Sequence, residues 1–156
     1  MKTFLILLLS ITFSTFTFAQ SHQHTAKVHD HKLATELDKV LAANQELFST
    51  LLKNDQSQVE MVGNKLREII AKSSSKEIKN LNLGNLAKTK NKSQNIEIYG
   101  QFLPKLIEVF KLNNINQNYA IYYCPMVKKY WIQNIKIQSK VQNVFAQDML
   151  ECGEKI

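Results

Sequence analysis

Leu33, Leu37, Val40, Leu41, Leu47, Phe48 and Leu51 recur at the i, i+4, i+7, i+8 spacing of one apolar stripe, a pattern that an α-helix turns into a single face. The stripe constrains the fold because it must be buried against elements with apolar faces of their own. Three further stretches supply them. Asn54-Asp55 interrupts the first pattern, after which Val59, Val62, Leu66, Ile69 and Ile70 carry a second inward face. Ser73-Ser74-Ser75 marks a turn with Ser75 as a helix cap. Ile78, Leu81 and Leu86 then define a third helical stretch, weakened by Gly84 and its asparagines. Between Ile96 and Leu112, Tyr99, Phe102, Leu106, Ile107 and Phe110 line one side, with Pro104 marking a first turn or a kink. The expectation is a mainly α protein, an up-and-down bundle of about four helices with short connections.

The ends of the chain read differently. Residues 1–19 look like a signal peptide: Lys2 precedes an apolar run from Phe4 to Phe18, and Thr17-Phe18-Ala19 approximates a small-x-small cleavage site. Residues 20–31 are polar and histidine-rich, and are expected to be a mobile arm, with Asp30 capping the first helix. Residues 32–156 then make one helical domain whose C-terminal segment is irregular. Within that segment Asn113 to Asn118 is a loop-forming tract, Tyr119 to Tyr123 is β-prone, and Gly153 reads as a C-terminal stop. No second apolar stretch approaches the roughly 20 residues needed to cross a bilayer.

The formal charge is +7, but the lysines are scattered. Lys88-Thr89-Lys90-Asn91-Lys92 is their one modest cluster and reads as a solvated loop. Export and the lack of a long basic block argue against a nucleic-acid partner. The sequence has no Gly-rich phosphate loop, G-x-S-x-G elbow, H-E-x-x-H or C-x-x-C-H, so enzymatic chemistry is not expected.

Chemistry is concentrated in sulfur. The chain has two cysteines, and each has a methionine nearby: Cys124-Pro125-Met126 and Met149-Leu150-Glu151-Cys152. Pro125 keeps Cys124 extended, and in an extended chain residues i and i+2 point to one side. On a helical turn, residues i and i+3 share a face. Two thiols and two thioethers would form a soft donor set that selects Cu(I) over harder ions; zinc suits thioethers poorly. The competing reading is a disulfide, common in exported domains and contributing roughly 3–4 kcal/mol for a loop of this length. Met126 and Met149 would then be core gap-fillers. On residues alone the disulfide stands ahead.

All four histidines lie between His22 and His31. The pairs His22-x-His24 and His29-x-His31 offer imidazoles to Cu(II), Ni(II) or zinc. Cleavage after Ala19 would leave Gln20-Ser21-His22 at the amine, a square-planar Cu(II) motif when Gln20 does not cyclise. A solvated tail is the competing reading.

Tyr123-Cys124-Pro125-Met126, Trp131, Asn143, Phe145 and Met149-Leu150-Glu151-Cys152-Gly153-Glu154 together resemble the C-terminal pattern of a bacterial exported domain family of unknown function. That family occurs alone and appended to periplasmic adaptor subunits of copper/silver efflux systems. The resemblance covers about residues 122–154; over the helices it extends only to their general look. Where the family tends to have Asn-Pro-Tyr-Phe-Gly, this chain has Asn143-Val144-Phe145-Ala146-Gln147, which puts the shape of that turn in question. The resemblance implies a periplasmic heavy-metal protein, with copper as the metal, Cys124, Met126, Met149 and Cys152 as ligands, and an efflux adaptor or other envelope protein as partner. It moves the expectation towards a copper carrier, buffer or efflux accessory. The alternative is a disulfide-stapled helical interaction module of the cell envelope with no metal.

Overall fold

The computed structural model describes residues 23–53, 55–113 and 117–156, with side chains from His31 onward. The expected signal peptide and Gln20 to His22 of the arm lie outside these residues, as do Asn114 to Asn116 of the loop-forming tract. Helices α1 (Gln23–Lys53), α2 (Gln56–Lys72), α3 (Lys76–Lys79) and α4 (Lys92–Asn113) precede strands β1 (Tyr119–Cys124), β2 (Lys129–Asn134) and β3 (Glu154–Lys155). The described residues are therefore mainly helical, as the periodicity predicts.

The stripe on α1 is buried: Leu37, Val40, Leu41, Leu47, Phe48 and Leu51 are core residues, and Leu33 packs at the core's edge. Each such side chain contributes about 1.5–3 kcal/mol through burial, which holds α1 against α2, α4 and β2. The start of α1 differs from expectation. It begins at Gln23, so Asp30 is an interior residue and the helix extends into the segment read as an arm. That stretch contains neither proline nor glycine to interrupt a helix.

Asp55 caps α2, its Oδ1 accepting from the Gln58 amide at 3.2 Å. The Ser75 hydroxyl caps α3 in the same way, accepting from the Ile78 amide at 3.2 Å. The third helix itself is a single turn, although Ile78, Leu81 and Leu86 are all buried. Beyond it the chain turns through Gly84 (φ 51°) and Ala87 (φ 64°), and the Gly84 amide donates to Asn82 Oδ1 at 2.8 Å. The Arg67 guanidinium donates to the carbonyl of Gly84 at 3.2 Å and to that of Leu86. These partners satisfy backbone groups that a longer helix would have paired internally. Gly63 permits the close fit of this turn on α2, since a Cβ there would lie 2.6 Å from Ala87 Cβ. Pro104 lies in the interior of α4 rather than in its first turn.

The C-terminal region is more ordered than an irregular segment. It forms a three-stranded antiparallel sheet in the order β2-β1-β3. Tyr119 pairs with Asn134, Tyr122 with Trp131 and Cys124 with Lys129 across the hairpin; Tyr122 and Tyr123 pair with Lys155 and Glu154 of β3. The aromatic and β-branched run of β1 suits a half-buried pleated surface. Between β2 and β3 the chain loops back over the sheet, with one 3-10 turn at Gln147–Met149.

Candidate functional site

β1 ends at Cys124, which is fully buried, and the chain re-enters the sheet just after Cys152, which is partly exposed. Pairing of Tyr123 with Glu154 brings residue 152 to the end of β1. The two cysteines are joined as a disulfide with Cα atoms 5.7 Å apart, inside the range such a bond requires. The disulfide is thus present, and in this state neither sulfur is a thiolate, the form that binds metal. Only the reduced protein can offer both as ligands.

The methionines sit at the surface. Pro125 and Met126 fall in the turn between β1 and β2, and Met126 is 69% exposed. The strand stops at Cys124, so the expected alternation that would align Met126 with it does not extend that far. Met149 closes the 3-10 turn and is 43% exposed. The Cys152 amide donates to the Met149 carbonyl at 2.9 Å, so this pair shares one turn, as its spacing predicts. Neither methionine fills the core.

Asn143 organises the turn that carries Cys152. It is fully buried. Its amide N–H donates to the Leu150 carbonyl at 2.7 Å. Its Nδ2 donates to the Cys152 carbonyl at 2.9 Å, and its Oδ1 accepts from the Phe145 amide at 2.9 Å. Phe145 in turn stacks on Tyr99 of α4, with ring centroids 6.1 Å apart, so this turn is anchored to the helices. Burial pushes the Tyr99 phenol up, and its hydroxyl donates to Asn44 Oδ1 at 2.9 Å.

Gly153 has a role other than stopping a helix. A Cβ there would lie 2.4 Å from Trp131 Cη2 and 3.1 Å from Val141 Cγ1, so the residue after Cys152 must be bare for the chain to lie on the indole. Trp131 is fully buried and stacks on Tyr122 with centroids 5.6 Å apart.

Further buried amides tie this region down. Gln133 Nε2 donates to the carbonyls of Gln138 at 2.9 Å and Lys140 at 2.7 Å, and Gln45 Oε1 on α1 accepts from the Asn134 amide at 2.7 Å. Sequence reasoning missed Gln45 and Gln133 because an amide side chain gives no periodic signal; Asn143 was visible only through the resemblance.

The histidines are not brought to the sulfurs by anything described. His31 is exposed on α1. His24 and His29 lie within α1, but their side chains, like all of His22, are outside the described residues. Among the described residues, no three His, Cys, Asp or Glu side chains gather as a metal site. A metal here would therefore depend on the two cysteine sulfurs and the thioethers. No helix among the described residues is long and apolar enough to cross a membrane.

No family model, curated protein or solved structure matches this chain.

Proposed function

We propose that the reduced protein binds Cu(I) through Cys124 and Cys152, with Met126 and Met149 as thioether donors, and acts as a periplasmic copper carrier, buffer or efflux accessory. The observation that carries this reading is the exposure of both methionines (69% and 43%) beside the bridged cysteines. As core fillers they would be buried; at the surface they are soft donors within reach of an arriving ion. Two thiols taking up Cu(I) release their protons, so loading is favoured as pH rises. In this reading the long helices form an up-and-down scaffold and the histidine-rich segment at the start of α1 captures Cu(II). The partner is the efflux adaptor or other envelope protein that the family resemblance implies.

The disulfide favours a second reading: a stapled helical interaction module of the cell envelope that holds no metal. One experiment separates the two. Reduced protein lacking residues 1–19 is titrated with Cu(I) against a chromophoric chelator, alongside Met126→Leu/Met149→Leu. Tight one-to-one binding that the double substitution weakens is expected. Failure of the folded, reduced protein to compete with the chelator would leave the stapled module standing.

A further inference from the structure

The disulfide is asymmetric. Cys124 is completely buried at the end of β1, whereas Cys152 is partly exposed at the end of a surface turn in which Gln147, Asp148, Met149, Leu150 and Glu151 are all exposed. Thiol–disulfide exchange proceeds by attack of a thiolate on one sulfur and expulsion of the other, and access decides which sulfur is attacked. We propose that Cys152 is the sulfur through which a dithiol reductant opens this bond, with Cys124 as the buried leaving group.

The step balances as follows. The reductant's first thiolate bonds to Cys152 Sγ while the Sγ–Sγ bond breaks and its electron pair leaves on Cys124, which then takes a proton. A mixed disulfide now joins Cys152 to the reductant. The reductant's second thiolate attacks its own sulfur in that mixed disulfide, releasing Cys152 as a thiolate that is protonated in turn. The reductant is oxidised to its internal disulfide, and the two cysteines have gained two electrons and two protons.

The contacts around Cys152 explain why the reductant must carry two thiols. After cleavage the cysteines do not drift apart. Upstream, Asn143 grips the Leu150 and Cys152 carbonyls at 2.7 and 2.9 Å. Downstream, β3 stays paired to β1, and the Ile156 amide donates to the Ile121 carbonyl at 3.0 Å. Cys124 is therefore held beside the mixed disulfide as an intramolecular nucleophile, with the large effective concentration such placement brings. It expels a monothiol and re-forms the original bond. A second thiol on the reductant outruns that reversal and completes the reduction. The partner is thus a protein or small molecule bearing two thiols placed to close an internal disulfide, and the inference stands on the Cys124–Cys152 bond whether or not copper binds.

The test uses the oxidised protein lacking residues 1–19, with glutathione and dithiothreitol as probes at equal total thiol and no metal. Samples are acid-quenched, blocked with N-ethylmaleimide and mapped by peptide mass spectrometry. Glutathione is expected to appear on Cys152 with maleimide on Cys124, exceeding the reverse pattern by about tenfold or more. Net reduction is expected to be rapid with dithiothreitol and to stall with glutathione. Equal adducts on both cysteines, a preference for Cys124, or cleavage only after urea unfolding would each overturn the proposal. Complete reduction by glutathione as fast as by dithiothreitol would overturn the dithiol requirement.

Discussion

The helical region and the C-terminal sheet share one buried core, yet they are held together by different means. Along α1, α2 and α4 most inward positions are Leu, Ile, Val or Phe at helical spacing, with Tyr99, Asn44 and Asn95 among the buried polar exceptions, and burial is non-directional. Around the sheet the chain instead depends on specific fits: an amide clamp at Asn143, a bare Gly153 on the Trp131 ring, the Gln133 bridges and one cross-link. Burial by area tolerates changes that preserve volume, whereas a hydrogen-bond clamp or a contact at 2.4 Å does not. A segment that must hold two sulfurs side by side benefits from the second kind of restraint, because directional contacts fix position and apolar packing mainly fixes compactness.

The largest effect expected lies in the shared core. Phe48 on α1 is fully buried in the common core, so Phe48→Ala should cost about 3–5 kcal/mol and lower the protection of helices and sheet together. Urea melts followed by helical circular dichroism and by Trp131 emission should shift by the same amount. Separation of the two transitions would break the single-core picture and make the sheet an independent unit. Next comes the cross-link. Reducing Cys124–Cys152, which spans 28 residues, should cost up to about 3–4 kcal/mol on the chain-entropy model. The folded state should nevertheless keep its buried tryptophan, because Asn143 and β3 still hold the segment. A red-shifted Trp131 emission on reduction, without global unfolding, would show that the disulfide alone keeps Gly153 on the indole.

The same contrast explains how much the sequence revealed. The helical faces were legible because area burial leaves a periodic trace, and nearly every residue assigned to the α1, α2 and α4 stripes is in the core or packed on its edge. The turn shared by Met149 and Cys152 was legible too, because it follows from local spacing. The one-turn length of α3 was not, since it depends on Arg67 reaching across from α2 to two carbonyls. Nor were the clamps of Gln45 and Gln133, whose burial is decided by partners 89 and 5 residues away. The position of Met126 failed for a simpler reason: β1 ends one residue before Pro125, and the chain turns.

A third effect isolates the close fit itself. Gly153→Ala would place a methyl 2.4 Å from Trp131 Cη2 and 2.9 Å from its Cζ2, and the neighbouring atoms belong to a ring that is fully buried. The chain must lift, at a cost of about 1–3 kcal/mol, and Trp131 emission should shift while helical content stays unchanged. Gly100→Ala provides the matched control on α4, where a Cβ would meet Phe145 Cε1 at 3.1 Å, a milder conflict with a side chain that can yield. Equal losses from the two variants would mean that the fit of Gly153 on the indole is no less forgiving than the contact of Gly100 with the Phe145 ring.

The smallest effect separates the regions by charge. Glu36 on α1 clamps the turn between α2 and α3. Its carboxylate accepts from the hydroxyls of Ser73 at 2.5 Å and Ser74 at 2.7 Å, and from the amides of Ser74 at 3.0 Å and Ser75 at 3.2 Å. The Ser73 bond foremost, opposed by desolvation and reinforced by Ser74 and Ser75, lowers its pKa from 4.5 to about 2. A carboxylate whose pKa falls on folding stabilises the native state above its unfolded value, and that contribution disappears as pH drops from about 4.5 to about 2. Because Glu36 is partly exposed, water screens the bonds, and Glu36→Gln should cost only about 1 kcal/mol at neutral pH. The difference between wild type and variant should narrow as pH falls through this range and vanish only below about pH 2. Asn143 performs the equivalent task near Cys152 with a neutral amide, which does not titrate. Amide exchange followed down this pH range, after correction for intrinsic rates, should therefore show Ser74 and Ser75 losing protection while the Phe145 and Cys152 amides keep theirs. Parallel loss at both clamps would mean that acid acts on the shared core and not on Glu36.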